Sequence, residues 1–469
     1  MDSSIENWIS SEFSNIELGD VRLVKRFKSI MAGVIKKSES NISSSFASWS
    51  EIKSCYRFIA NDKFDEKAIL SPHRDKTIER IKQEPTVLIL QDTTYLEYNR
   101  AKTVGLDHIN RTAVTRNPIE GLILHNALAV TTYGVPLGLV EQIFVERKSF
   151  HGARACRGSE KKKPIKDKES IRWLNILRKS NALEMGKTKT IHIADREGDI
   201  YELYQEAKLL NENFIVRVKS NRTINKVKRR EPPKEYLFDH LEMKKAQGRL
   251  EIDIQVNGKK KFRKANLSIV FSPVSIPPPP NRTVNKDGTN LFNIELFAIM
   301  AIERNPPKNI DPIKWVVLTN LSVKTIKKAI QYITWYSYRW NIEIFHKILK
   351  SGCGIEKAQL RDGKKLKKYI TLKSIVAWRI FWLTRTFERN KDRQCHTVLT
   401  KDEWTILYKK FNQNRLPVEP PLIRDVYCWI GQLGGYINRK SDLYPGIISI
   451  WKGWTRFMDL IEDYYAFCG

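Results

Sequence analysis

Cysteine is scarce in this sequence and follows no pattern. Six occur in 469 residues (Cys55, Cys156, Cys353, Cys395, Cys428 and Cys468), and no two form a CxxC pair. That excludes a zinc-finger framework and a disulfide scaffold, and it fits a reducing cytoplasm. No apolar run reaches the roughly 20 residues of a membrane-spanning helix. The polar start "MDSSIENW" is no signal peptide, so no membrane partner is expected. Internal repeats, a Gly-rich phosphate loop and a Walker-type motif are all missing. Acidic residues are also short, 52 Asp+Glu against 82 Lys+Arg, for a formal charge of +30. A surplus that large favours polyanions, nucleic acid first; association with ribosomes or membranes, or a generally basic proteome, would give the same balance.

What is present is a foldable, aromatic-rich chain. Hydrophobic residues make up 41%, with 12 Trp, 17 Tyr and 19 Phe, which argues for a globular protein of about three domains. Residues 1–70 read as short helices, "SSIENWISSEF", "DVRLVKRFKSIMAGVIKK" and "SFASWSEIKSCYRFIAN". Arg22, Arg26 and Arg57 give them a basic face, suited to DNA or simply to the surface of a soluble helical cap. From about 85 the pattern turns to strands. "TVLILQD" is a buried strand ending at Asp92, and "LILHNALAVTTYGVPLGLVEQIFVERK" is a hairpin around "YGVP". "DKESIRWLNILRKSNAL" is helical, and "TKTIHIAD" is a second buried strand ending at Asp195. Residues 209–320 read as a β-rich insertion with basic loops, interrupted by "KVKRREPPK" and the proline run of "SIPPPPNRTVNKDG". Beyond about 370 the chain is helical and aromatic.

One segment, "YSYRWNIEIFHKILK", places a single carboxylate, Glu343, among Arg339, His346, Lys347 and Lys350. On a continuous helix at about 100° per residue, Tyr336, Arg339, Glu343 and Lys350 fall within a stripe roughly 60° wide. A solvated face with salt bridges would look like this; so would a metal-binding carboxylate beside a phosphate-holding surface. Two strand-end aspartates and a helical glutamate suit a pair of divalent cations, because hard cations take oxygen ligands. Taken singly, each aspartate also suits a helix cap or a turn. The order strand(Asp), hairpin, helix, strand(Asp), insertion, helix(Glu) is that of an RNase H-like nuclease core.

At these residues the chain resembles the bacterial cut-and-paste DDE transposases of the IS-four family, closest to its Tn-five (IS-fifty) branch. "LGDVRLVKRF", "CYRFIAN", "QDTTYLEY", "ADREGDIYELYQ", "FIVRVKSNR" and "NPPKNIDPIKWVVLT" carry the likeness, together with the Y-x2-R-x3-E-x6-K signature at Tyr336, Arg339, Glu343 and Lys350. It runs over essentially the whole chain.

The resemblance implies an N-terminal DNA-binding domain over 1–70, an RNase H-like catalytic domain over 71–370 and a C-terminal helical dimerisation domain over 371–469. It implies that Asp92, Asp195 and Glu343 hold two Mg²⁺ ions, with Mn²⁺ able to substitute. Tyr336, Arg339 and Lys350 would grip phosphates, with His346 and Lys347 on the same DNA-facing segment. Trp315 would receive a flipped base, unless it is an ordinary core tryptophan. Arg217 and Lys219 would touch DNA near the active site, and Arg22, Arg26 and Arg57 would bind the transposon end. The partners implied are double-stranded DNA, as ends and as target, and a second copy of the chain in a paired-end complex. The location implied is the bacterial cytoplasm, on the nucleoid when DNA is bound. Ile344 follows Glu343 where the relative has a second glutamate, which leaves Glu343 without an acidic neighbour; Leu23 replaces an arginine in the N-terminal domain, so a different end sequence is expected. A nuclease of the same fold without strand transfer, or a catalytically idle DNA-binding relative, would also fit.

Overall fold

The computed structural model describes residues 4–98, 103–109, 119–146, 164–224, 235–255, 262–279, 291–308, 310–412, 415–439 and 442–468. The basic segment "KVKRREPPK" and most of the proline-rich loop lie outside them. The chain divides into two compact units. The first comprises Met1–Gln83, Thr93–Phe150 and Asn341–Gly469, and the second Glu84–Asp92 and His151–Trp340.

The second unit is built on a mixed sheet. Strand β1 (Thr86–Glu97) begins in it, followed by β5 (Lys189–Ala194), β6 (Asn213–Arg217), β9 (Gly248–Gln255), β10 (Phe262–Ile276), β11 (Ile294–Glu303) and β12 (Lys314–Thr319), while β7 (Thr223–Ile224) and β8 (Glu235–Tyr236) pair separately. β1 pairs with β5 in parallel, and β5 with β6 in parallel. β12, β11, β10 and β9 then add on in antiparallel succession. The strands expected as a β-rich insertion thus extend this same sheet. Its parallel strands are apolar runs because they are covered on both faces. Trp173 and Leu177 from the helix Ile171–Asn181 and Tyr204 from the helix Tyr201–Leu209 close on Phe214, Val216, Met300 and Leu318 in one core.

In the first unit, helix Val21–Lys36 shows how spacing becomes packing. Leu23, Phe27, Ile30, Met31, Val34 and Ile35 form its buried stripe, and Asp20 caps its N-terminus by accepting from the Arg22 N–H. Phe13, Phe27, Phe58 and Phe64 pack in series with centroid spacings of 4.8, 6.0 and 4.8 Å. The hairpin is formed by β3 (Glu120–Thr131), which also pairs with the short β2 (Asp107–His108), and β4 (Pro136–Val145), closed by Thr131 N–H donating to Val135 O at 2.9 Å. The 27-residue helix Gly363–Arg389 runs through this unit's core, with most of its length buried. Lys373, fully buried on it, donates to Ser38 O at 2.7 Å and Ser40 O at 3.1 Å, just past the end of helix Val21–Lys36.

Candidate active site

Asp92, on β1, and Asp195, the residue after β5, follow the paired stretch of two neighbouring parallel strands. The β1–β5 register ends at Leu90 opposite Ile193, and each aspartate comes two residues later. Adjacent strands lie about 4.8 Å apart, so two partly exposed aspartates follow closely on the paired stretch of these strands. Asp92 does not end its strand, however. β1 continues to Glu97, because alternation resumes after the buried run and Thr94 and Leu96 are buried again. Asp195 does leave its strand. Its Oδ1 accepts from the Glu197 N–H at 2.8 Å and caps the short 3-10 turn Arg196–Gly198. Gly198 is required there, since a Cβ would sit 2.6 Å from that of Ala194.

The loop that follows ties this edge to the next strand. Asp199 is buried and accepts from Tyr204 Oη at 2.6 Å, from the Lys219 N–H at 2.7 Å and from Arg222. Lys219 is therefore presented from a backbone anchored four residues beyond Asp195. A pocket of about 130 Å³ opens among Arg196, Arg217, Lys219, Lys314 and Phe238. Arg196, Asp199, Phe238 and Lys314 were not singled out from sequence. The only hint was "ADREGD", with a basic residue and a second acid directly after Asp195.

Trp315 lies on β12, half-buried, opposite Ala301. Its indole meets Tyr336, on the helix Ile326–Ser337, at 5.9 Å. The Tyr336 hydroxyl is buried with no well-formed hydrogen bond among the described residues. Burial pushes its pKa up, and the nearby Arg339 and Arg217 charges oppose that shift.

The single helix assumed for 336–350 is not formed. Helix Ile326–Ser337 ends at Tyr338, where Arg339 N–H donates back three residues to Tyr336 O at 2.9 Å. A new helix, Trp340–Lys347, carries Glu343 in its first turn, and the π-helical turn Ile348–Gly352 carries Lys350. Two changes of helical pitch invalidate the angles computed for one continuous helix. In the first unit Glu343 is partly exposed and Lys347 exposed. Lys350 is ion-paired with Glu356 at 3.2 Å.

His346 is corrected as a phosphate ligand. It is 6% exposed, and it accepts at Nε2 from Asn126 Nδ2 at 2.9 Å. Burial, with the Lys350 charge, lowers its pKa to about 3, so it is a neutral packing group. Arg22 and Arg57 are exposed, and Arg26 is half-buried. Leu23 is buried and belongs to the helical core rather than to a DNA-facing surface.

Residues 5–64 match the family described as Transposase DNA-binding, residues 168–379 the Transposase DDE domain, and residues 375–466 the Transposase Tn5 dimerisation domain. The chain is a Tn5-like transposase of the IS4 family. Its mixed α/β core between two helical regions is the DDE transposase architecture expected from sequence. The transposase binds DNA, cleaves it and transfers strands with a divalent metal, and it carries a dimerisation domain.

Among the described residues no three His, Cys, Asp or Glu side chains are gathered to hold a metal ion. Asp92 and Asp195 belong to the second unit and Glu343 to the first. The donor chemistry nevertheless fits: all three are carboxylates, with no thiolate or imidazole among them, as a hard divalent cation requires. Among the same residues no helix is long and apolar enough to cross a membrane.

Proposed function

We propose that the transposase works by cut and paste. It binds inverted terminal sequences through the domain at 1–70, pairs two ends as a homodimer through 371–469, and cuts with the domain at 71–370. Water attacks one phosphodiester at each end and releases a 3′-hydroxyl. That hydroxyl attacks the opposite strand, forming a hairpin and freeing the flanking DNA. A second water opens the hairpin, and the 3′ ends then join target DNA. The observation that best supports this reading is that Asp92 and Asp195 each come two residues after the last paired positions of the parallel strands β1 and β5, with Asp195 inside the residues that match the DDE domain.

Asp92, Asp195 and Glu343 are the proposed ligands of two Mg²⁺ ions, for which Mn²⁺ substitutes. Bound there, such ions supply activation of the attacking oxygen and stabilisation of the leaving oxygen. Tyr336, Arg339 and Lys350 hold the phosphates flanking the scissile bond, through the charge-assisted contacts that fix a backbone in register. Lys350 exchanges Glu356 for a phosphate when DNA arrives. Arg217 and Lys219 contact DNA near the cut, Lys347 adds an exposed cation, and Trp315 stacks a flipped base. Arg22, Arg26 and Arg57 read or grip the end. The protein acts in the bacterial cytoplasm, on the nucleoid when bound.

A strand-transfer assay with precut ends separates this reading from a nuclease of the same fold. Joined products in Mg²⁺ support it; cleavage of uncut ends with no joining of precut ones contradicts it.

A further inference from the structure

Helix Trp340–Lys347 has eight residues, too few to hold its own shape in water. The position of Glu343 therefore depends on what grips the helix. Asn341, two residues before it, donates to Gly134 O in the β3–β4 turn at 3.3 Å and accepts from Arg385 Nη2 at 3.1 Å. His346, three residues after it, accepts from Asn126 on β3.

Behind Asn126 the chain of contacts continues. Its Oδ1 accepts from Gln142 Nε2 on β4 at 3.0 Å, and the same amide nitrogen donates to Ser374 Oγ at 2.8 Å. Gln142 Oε1 accepts from Thr371 Oγ1 at 2.8 Å, and Ser374 Oγ donates to Ile370 O at 2.8 Å. Asn126, Thr371 and Ser374 are fully buried, and Gln142 is 5% exposed. Both ends of each amide are used: Asn126 donates to His346 and accepts from Gln142, and Gln142 has an acceptor for each of its two amide hydrogens and the Thr371 hydroxyl, itself also 3.0 Å from Lys367 O, at its oxygen. Buried polar groups of this kind are costly unless fully paired, and when paired they fix one geometry. An apolar set would pack the hairpin against helix Gly363–Arg389 without specifying where His346 goes.

We propose that Asn126 and Gln142 are positioning residues that set the placement of Glu343 through His346. The inference rests on Glu343 being a metal-binding carboxylate of the transposase. The two residues touch neither DNA nor metal. They hold the short helix at one end while the β3–β4 turn holds it at the other.

The test uses the full chain with Asn126→Leu, which keeps the branched shape and removes both hydrogen-bonding ends, and Gln142→Met as a second variant. Nicking of a terminal-repeat duplex in Mg²⁺, single-end binding and the rise in Tm on adding Mg²⁺ are measured together. Expected are binding within about twofold of the parent, nicking reduced about 10–100-fold as for other outer-shell partners of metal ligands, and a smaller Mg²⁺-induced Tm rise. Amide exchange over 340–347 should quicken in whichever variant folds. Parental nicking with an unchanged Mg²⁺ response in a folded variant overturns the proposal, as does unfolding of both variants, which would make the chain merely structural. A parent protein that fails to nick in any divalent metal sinks the transposase reading instead.

Discussion

The Trp315 indole meets the Tyr336 ring edge-on, with 5.9 Å between centroids and 67° between planes. One face of a half-buried tryptophan is thus braced while the strand keeps the side chain partly open. Bending a DNA strand into a hairpin unstacks a base at about a few kcal/mol, and stacking on an aromatic ring returns about 1–3 kcal/mol. Trp315→Ala should therefore slow hairpin formation about tenfold or more while sparing the first nick and the joining of precut ends. Nicked, hairpinned and joined products are quantified in one gel, with a melting curve. Uniform loss of all three with a lowered Tm would return Trp315 to the core.

The charge of +30 should appear as a steep salt dependence of DNA binding, since each neutralised phosphate releases a counterion. Arg217→Ala, Arg339→Ala and Lys350→Ala should each flatten the log–log slope by about one unit. His346→Gln should leave the slope unchanged, because the imidazole is buried and neutral. A gel-shift series across salt concentrations checks all four. A slope change for His346→Gln alone would contradict the assignment.

Glu12 lies at the centre of a buried network in the first unit. His73 Nδ1 donates to it at 2.6 Å and Arg80 forks onto it at 2.9 and 3.0 Å, while Leu139 N–H donates to His73 Nε2 at 3.0 Å. Burial alone would raise the Glu12 pKa. Hydrogen bonds and charge from His73 and Arg80 prevail and lower it to about 2 from 4.5. A depressed carboxylate stabilises the fold above its unfolded pKa, and that contribution is lost as pH falls through the folded value. Glu12→Gln should cost about 3 kcal/mol at neutral pH, the low end for breaking a buried pair, because Arg80 keeps some contact with water. Urea melts between pH 5 and about 2 should show the parent losing its advantage over the variant. A constant difference across that range would refute the charge assignment.

Lys373 provides a second pH test of opposite origin. Burial lowers its pKa to about 8 from 10.5, against the weaker pull of Cys353 and Cys55. Between those values the unfolded chain binds a proton that the folded chain does not, so this group's contribution to stability rises with pH there. Subtracting melts of Lys373→Met from those of the parent should expose a rising difference through that window. A flat difference would mean that the lysine is not desolvated.

The catalytic core was legible where one physical signal dominated. "TVLILQD" and "TKTIHIAD" are short apolar runs rich in β-branched residues, as strands covered on both faces are, and they led to both aspartates. The hairpin was legible from the "YGVP" turn between two apolar segments, and both strands are buried along nearly their whole length rather than at alternate residues. Helix Glu66–Ile81 is hard to read from sequence, because Pro72 lies inside it and charges lie on every face. The break at Tyr338 was equally silent, since no Gly or Pro marks it and the following segment has good helix formers. Asn126 and Gln142 could not be found from sequence at all. Polar residues within buried strands read as interruptions until their partners on helix Gly363–Arg389 are known.

The most direct test of the account is metal-dependent nicking by the parent chain and by Asp92→Asn, Asp195→Asn and Glu343→Gln, on a duplex carrying the element's own terminal repeat. Each variant removes one carboxylate charge at nearly constant volume, so end binding, which comes from the cations, should stay within about twofold. Nicking in Mg²⁺ should fall by more than the 10–100-fold loss typical of outer-shell changes. Near-parental nicking in any one of the three, with binding intact, would contradict its role as a metal ligand and with it the proposed two-metal centre.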